Sequence, residues 1–194
     1  MVIKGNGGEG KSQIGAVLST IFGTNMKDGS IGKISENRFA RADLEHILLC
    51  VDDDMRDGSS ASDQLCKIHR DCTGQMDLER KGKQSYQGWM FARLLAFSNG
   101  DLQALYDRSD GFYRRQLVLT TKEKPVDRAD DPDLAEKMKA ESEGIFLWAF
   151  EGLQRLVANN FKLRRVTVSG KTGKRSSVTT TISLISWSRR DTSD

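Results

Sequence analysis

Glycines at positions 5, 7, 8 and 10 lead directly into Lys11 and Ser12. Gly5, Gly10, Lys11 and Ser12 match the spacing GxxxxGK[ST]. Glycines let a loop curl so that successive backbone N–H groups point at one anion. A helix beginning at Lys11 would add its positive N-terminal end. In this pattern Lys11 would reach the β- and γ-phosphates of a nucleoside triphosphate and Ser12 would hold Mg²⁺. The expected ligands are therefore ATP and Mg²⁺, with Gly5, Gly7, Gly8, Gly10, Lys11 and Ser12 as binding residues. The competing reading, a glycine-rich turn that fits by chance, is opposed by the apolar residues before the loop and the helical pattern after it.

A magnesium site also needs an acid at the end of a neighbouring strand. The run Ile47-Leu48-Leu49-Cys50-Val51 ends in Asp52-Asp53-Asp54. Asp52 is expected to hold the metal and Asp53 to orient the attacking water, with Asp54 leaving the assignment open by one residue. A plain acidic turn is the alternative.

These residues need a scaffold. Residues 2–4 read as the end of a strand. Ile14, Val17, Leu18 and Ile21 recur at helical spacing, so residues 11–22 form an amphipathic helix that Gly23 ends. Residues 24–40 read as loop with a little helix. Apolar runs at 47–51, 93–97 and 116–120 lack alternation, as strands buried on both faces do. Residues 65–72 suggest a helix, and residues 101–113 loop and short helix. Met76 to Gln87 reads as a hairpin turning near Lys81-Gly82-Lys83. An acidic loop at 127–133 precedes a helical stretch at 133–160. In it, Leu134, Met138, Ile145, Trp148, Ala149, Leu153 and Leu156 can line one face. Strands separated by helices predict an α/β domain with a mainly parallel sheet.

Composition narrows the partners. Of 194 residues, 30 are basic and 27 acidic, a balance too mild to imply nucleic acid without local clustering. The three cysteines, Cys50, Cys66 and Cys72, include no CxxC pair, which argues against a disulfide framework. Cys66, His69 and Cys72 are too few ligands for a tetrahedral zinc site, and Cys50 suits a core. No run of about 18 apolar residues is present, so no membrane span is expected. The expected compartment is reducing and cytoplasmic. Only four residues precede the phosphate loop, whereas a buried strand takes about five. The chain is therefore expected to be the C-terminal part of a longer protein.

Five segments together resemble the superfamily 3 helicase domain of phage and plasmid primases, relatives of the poxvirus primase-helicases. They are GNGGEGKS (5–12), ILLCVDDD (47–54), MDLERKGKQS (76–85), LLAFSNG (94–100) and DRSDGFYRR (107–115). The resemblance spans residues 1–160 and implies a P-loop NTPase of AAA+-like fold with an inserted β-hairpin. It implies that Asn99 senses the γ-phosphate. It implies that Arg114 or Arg115 enters the site of the next subunit, Arg115 being preferred. It further implies that Arg80, Lys81 and Lys83 contact single-stranded or forked DNA through its phosphates. The implied assembly is a homo-hexamer whose parent protein carries a primase domain upstream. Three aspartates stand where the family has Asp-Glu or Glu-Glu.

Residues 1–162 thus form the expected ATPase domain. From Leu163 to the end the texture turns serine- and threonine-rich, basic and aperiodic. This tail is expected to be irregular. A frameshift is the sharper alternative, because permitted codons read out of phase can encode a charge-rich helical text. Two other functions compete with the motor: a P-loop phosphotransferase on a small molecule, and an inactive truncated remnant.

Overall fold

The computed structural model describes residues 1–53, 55, 74–99, 117–121 and 129–162. In chain order these give β1 (Val2–Lys4), α1 (Lys11–Phe22), a 3₁₀ turn (Gly23–Asn25), β2 (Met26–Asp28), α2 (Ile31–Glu36), α3 (Arg38–Ala42) and β3 (Leu49–Asp52). The hairpin strands β4 (Gly74–Leu78) and β5 (Tyr86–Met90) follow, then β6 (Arg93–Ser98), β7 (Val118–Thr120), α4 (Leu134–Ala140) and α5 (Ser142–Ala158).

Five strands form one parallel sheet in the order β2-β3-β6-β1-β7. The short β1 lies inside it, with Ile3 opposite Phe97 on one side and Leu119 on the other. The antiparallel hairpin β4-β5 stands apart as a second sheet. The architecture is the expected α/β fold with a parallel sheet, flanking helices and an inserted hairpin.

Alternation along the strands divides the core into two. Val2, Cys50, Leu94 and Ala96 face one side, where Ile31 and Ile34 of α2, Ala42, Leu44, and Leu78 and Met90 of the hairpin pack. Ile3, Val51, Leu95 and Phe97 face the other, against Ile14 and Leu18 of α1. With both faces covered, the strands show no polar alternation, which is why they read as unbroken apolar runs. Gly15 of α1 lies over the Phe97 ring, where a Cβ would stand 3.4 Å away, at ordinary contact distance.

Several expectations need correcting. Residues 24–40 are more ordered than a loop, holding an edge strand and two short helices. The edge strand, Met-Lys-Asp, is half polar because it has a neighbour on one side only, so its period is masked. The helical stretch 133–160 breaks at Glu141 into α4 and α5. Leu134, Met138, Ile145 and Leu156 are half-buried as expected, but Trp148, Ala149 and Leu153 are exposed. Helix α5 meets α1 along a narrower stripe than its apolar content suggested. The expected helix at 65–72, the loop at 101–113, and Cys66, His69 and Cys72 lie outside the described residues. So do Asp54, Arg114, Arg115 and the tail. Among the described residues, no helix is long and apolar enough to cross a membrane.

Candidate phosphate-binding site

All strands of the main sheet run the same way, so their C-terminal ends share one edge, where α/β sheets bind ligands. β1 delivers residues 5–10 there. The Gly5 N–H donates to Ser98 O at 3.1 Å, and the Thr121 N–H donates to Lys4 O at 2.8 Å. The loop is thus anchored on both flanking strands before it turns.

Gly10 precedes α1 with φ 85° and ψ 23°, a left-handed conformation that disfavours any residue with a Cβ. Having no side chain, it makes no side-chain cap for α1; the Gln13 N–H donates to Gly10 O at 3.1 Å, and the N–H groups ahead of it are those a bound anion would meet. Gly5 is required for a different reason. A Cβ on it would lie 2.4 Å from Thr121 Oγ1, 2.8 Å from Glu9 Oε2 and 2.8 Å from Lys11 Nζ.

A cleft of about 380 Å³ opens over this loop, lined by Gly7, Gly8, Gly10, Lys11, Ser12, Gln13, Asp53, Phe97, Asn99, Asp130, Asp131 and Leu134. The expected Lys11, Ser12, Asp53 and Asn99 are therefore brought together. The parity of the strands explains it. Asp53 and Asn99 each continue the alternation that puts Val51 and Phe97 on the α1 side of the sheet.

Asp52 has the opposite parity. It lies 8% exposed on the α2 side, where Oδ2 accepts the Ile31 N–H at 2.8 Å. It does not line the cleft. Asp53 instead accepts a hydrogen bond from Ser12 Oγ at 3.0 Å. Of the two acids expected at the site, the structure brings only Asp53 to the cleft, because alternation from Val51 turns Asp52 to the opposite face of the sheet. Ser12 and Asp53 offer the hard oxygen donors that suit Mg²⁺.

Glu9 was not singled out from the sequence. Its Oε1 accepts the Asn6 N–H at 2.5 Å, and its Oε2 accepts the Gly7 N–H at 2.8 Å and Lys11 Nζ at 2.9 Å. Both ion-pair side chains are only 6% exposed. Burial pushes the Glu9 carboxyl up. The Lys11 hydrogen bond and the N–H groups of Asn6, Glu9 and Gly7 outweigh it and hold the carboxyl at about 2. No spacing rule flags this residue; the loop's curl brings it back on itself.

At the hairpin, Lys81 and Lys83 are exposed around Gly82, which has φ 75°. Arg80 is tied back to the domain: its guanidinium pairs with Glu45 at 3.1 Å and donates to Tyr86 Oη at 3.3 Å. The Tyr86 hydroxyl also donates to Glu45. These bonds, from Tyr86 first and then Arg80, hold the Glu45 carboxyl below its usual range against burial.

No curated protein matches the chain. Among solved structures, the C-terminal region of NrS-1 in an A-form apo structure superposes with a TM-score of 0.58 at 17% identity, covering 74% of this chain and 34% of that one. A second apo structure of the same region gives 0.58 at 16% identity, covering 74% and 35%. The chain therefore shares the fold of that region and spans about a third of its length. A family pattern matches residues 3–115, which holds the phosphate loop, Asp53, the hairpin and Asn99. The chain belongs to the family described as "Family of unknown function (DUF5906)".

Proposed function

We propose that this chain is the ATPase domain of an ATP-dependent DNA helicase of the phage and plasmid primase-helicase type. The observation that carries the reading is the convergence of Lys11, the Ser12–Asp53 pair and Asn99 on one cleft over the curled glycine loop. Lys11 neutralises the β- and γ-phosphates, and the α1 N-terminus adds its N–H groups. Ser12 and Asp53 would hold Mg²⁺, which when bound would supply positive charge against that developing on the phosphates. Asn99, whose amide both donates and accepts, positions water against the γ-phosphate. Arg114 or Arg115 is assigned the finger that completes the next subunit's site in a homo-hexameric ring.

Lys81 and Lys83 contact DNA phosphates without reading sequence. Arg80 fixes the hairpin to α3 and contributes less to DNA. The fold shared with the NrS-1 C-terminal region supports the scaffold of this reading. The primase half belongs upstream in a longer parent protein in a bacterial cytoplasm.

The test is ATP hydrolysis with and without single-stranded DNA, on this chain and on a version extended upstream. Stimulation by DNA is expected. Turnover indifferent to DNA in both versions would favour a phosphotransferase, and no turnover in either would leave a nucleotide-binding remnant.

A further inference from the structure

Resting on the phosphate-site reading, the geometry points to Glu9 as a built-in occupant of the phosphate cradle, so that nucleotide binds by displacing this carboxylate. Two backbone N–H groups of the glycine loop and the Lys11 amine are the donors a phosphate would need. All three already serve Glu9: Asn6 N to Oε1, Gly7 N and Lys11 Nζ to Oε2. The carboxylate also reaches the floor of the loop, since a Cβ on Gly5 would stand 2.8 Å from Oε2. A planar anion with two oxygens thus takes the place of one edge of a phosphate.

A set of donors cannot satisfy both anions. Charge-assisted hydrogen bonds to a carboxylate are strong, so eviction weakens apparent affinity. A ligand that replaces only these contacts gains little. A magnesium-bound triphosphate gains more, because it adds contacts to Ser12, Asp53 and the α1 N-terminus. Glu9 therefore lowers the apparent affinity of every such anion by one common factor, so that only a ligand with further contacts, such as a nucleoside triphosphate, binds at low concentration.

The test is calorimetric titration of the chain with a non-hydrolysable magnesium-ATP analogue and with orthophosphate, for the wild type, Glu9→Gln and Glu9→Ala. Lys11 acylation is followed by mass spectrometry without ligand. Both variants are expected to bind the analogue roughly tenfold tighter, as when the open cradle rises from about a tenth of molecules to nearly all. Orthophosphate should gain by the same factor, since it too must evict the carboxylate, and Lys11 should acylate faster. If one variant misfolds, the other decides. Unchanged or weaker binding in the folded variants, with the wild type still binding, overturns the Glu9 proposal and leaves the phosphate site standing. Absence of binding by the wild type and both variants overturns the phosphate-site reading and this inference with it.

Discussion

Replacing Asp52 or Asp53 by alanine separates two carboxylates that are adjacent in sequence and opposed in space. Asp52 is buried and accepts the N–H of Ile31, itself 1% exposed. Removing the carboxylate leaves a buried donor without that acceptor, which costs about 1–3 kcal/mol. With a urea slope of about 2 kcal/mol/M, the unfolding midpoint should fall by about 0.5–1.5 M. Asp53 is exposed and bonds Ser12 across the cleft. An exposed substitution of this kind moves stability by less than about 0.5 kcal/mol. Loss of Asp53 as the proposed magnesium ligand, however, would remove several kcal/mol of charge stabilisation and should slow ATP hydrolysis by at least about a hundredfold. The assays are urea denaturation followed by circular dichroism and steady-state ATP hydrolysis on the same preparations. An Asp52→Ala variant that keeps its midpoint but loses turnover, beside an Asp53→Ala variant that keeps turnover, would refute the parity argument.

Four further outcomes are expected. Lys11→Ala should abolish ATP hydrolysis, since the phosphates lose their principal side-chain cation; turnover within about tenfold of wild type would count against the site. Gly5→Ala should weaken nucleotide binding in a calorimetric titration, because the new Cβ would crowd Lys11 Nζ at 2.8 Å. Lys81→Ala with Lys83→Ala should weaken single-stranded DNA binding uniformly across sequences and flatten the slope of log K against log salt by about 1.4. On acidification, the Glu9 contact stabilises the fold above the ordinary carboxyl pKa of 4.5 and is lost as pH falls towards about 2. Glu9→Gln should therefore remove part of the acid-induced fall in stability, read as a flatter pH dependence of the unfolding midpoint over that window.

The sequence alone determined the parts whose signals are local. GNGGEGKS announces the curled loop because glycines tolerate its positive-φ turns at Gly7, Gly8 and Gly10, and the helix behind it follows from the spacing of Ile14, Val17, Leu18 and Ile21. The apolar runs around Cys50, Leu95 and Leu119 announce buried strands because both their faces are covered. Asn99 falls in the cleft, where the resemblance had placed it. What waited for the tertiary structure depends on which side of the sheet a neighbour packs. A strand reverses direction of its side chains at every residue, so of Asp52 and Asp53 only one can face the cleft. The packing of α1 against Val51 and Phe97 decides the matter, and no local pattern encodes it. The polar edge strand at Met26–Asp28 depended on its partner β3, and the exposed Trp148 and Leu153 on how narrowly α5 meets α1. Glu9 reaches the phosphate donors only once the loop has curled, because curvature brings together a carboxylate and N–H groups that an extended chain would point apart.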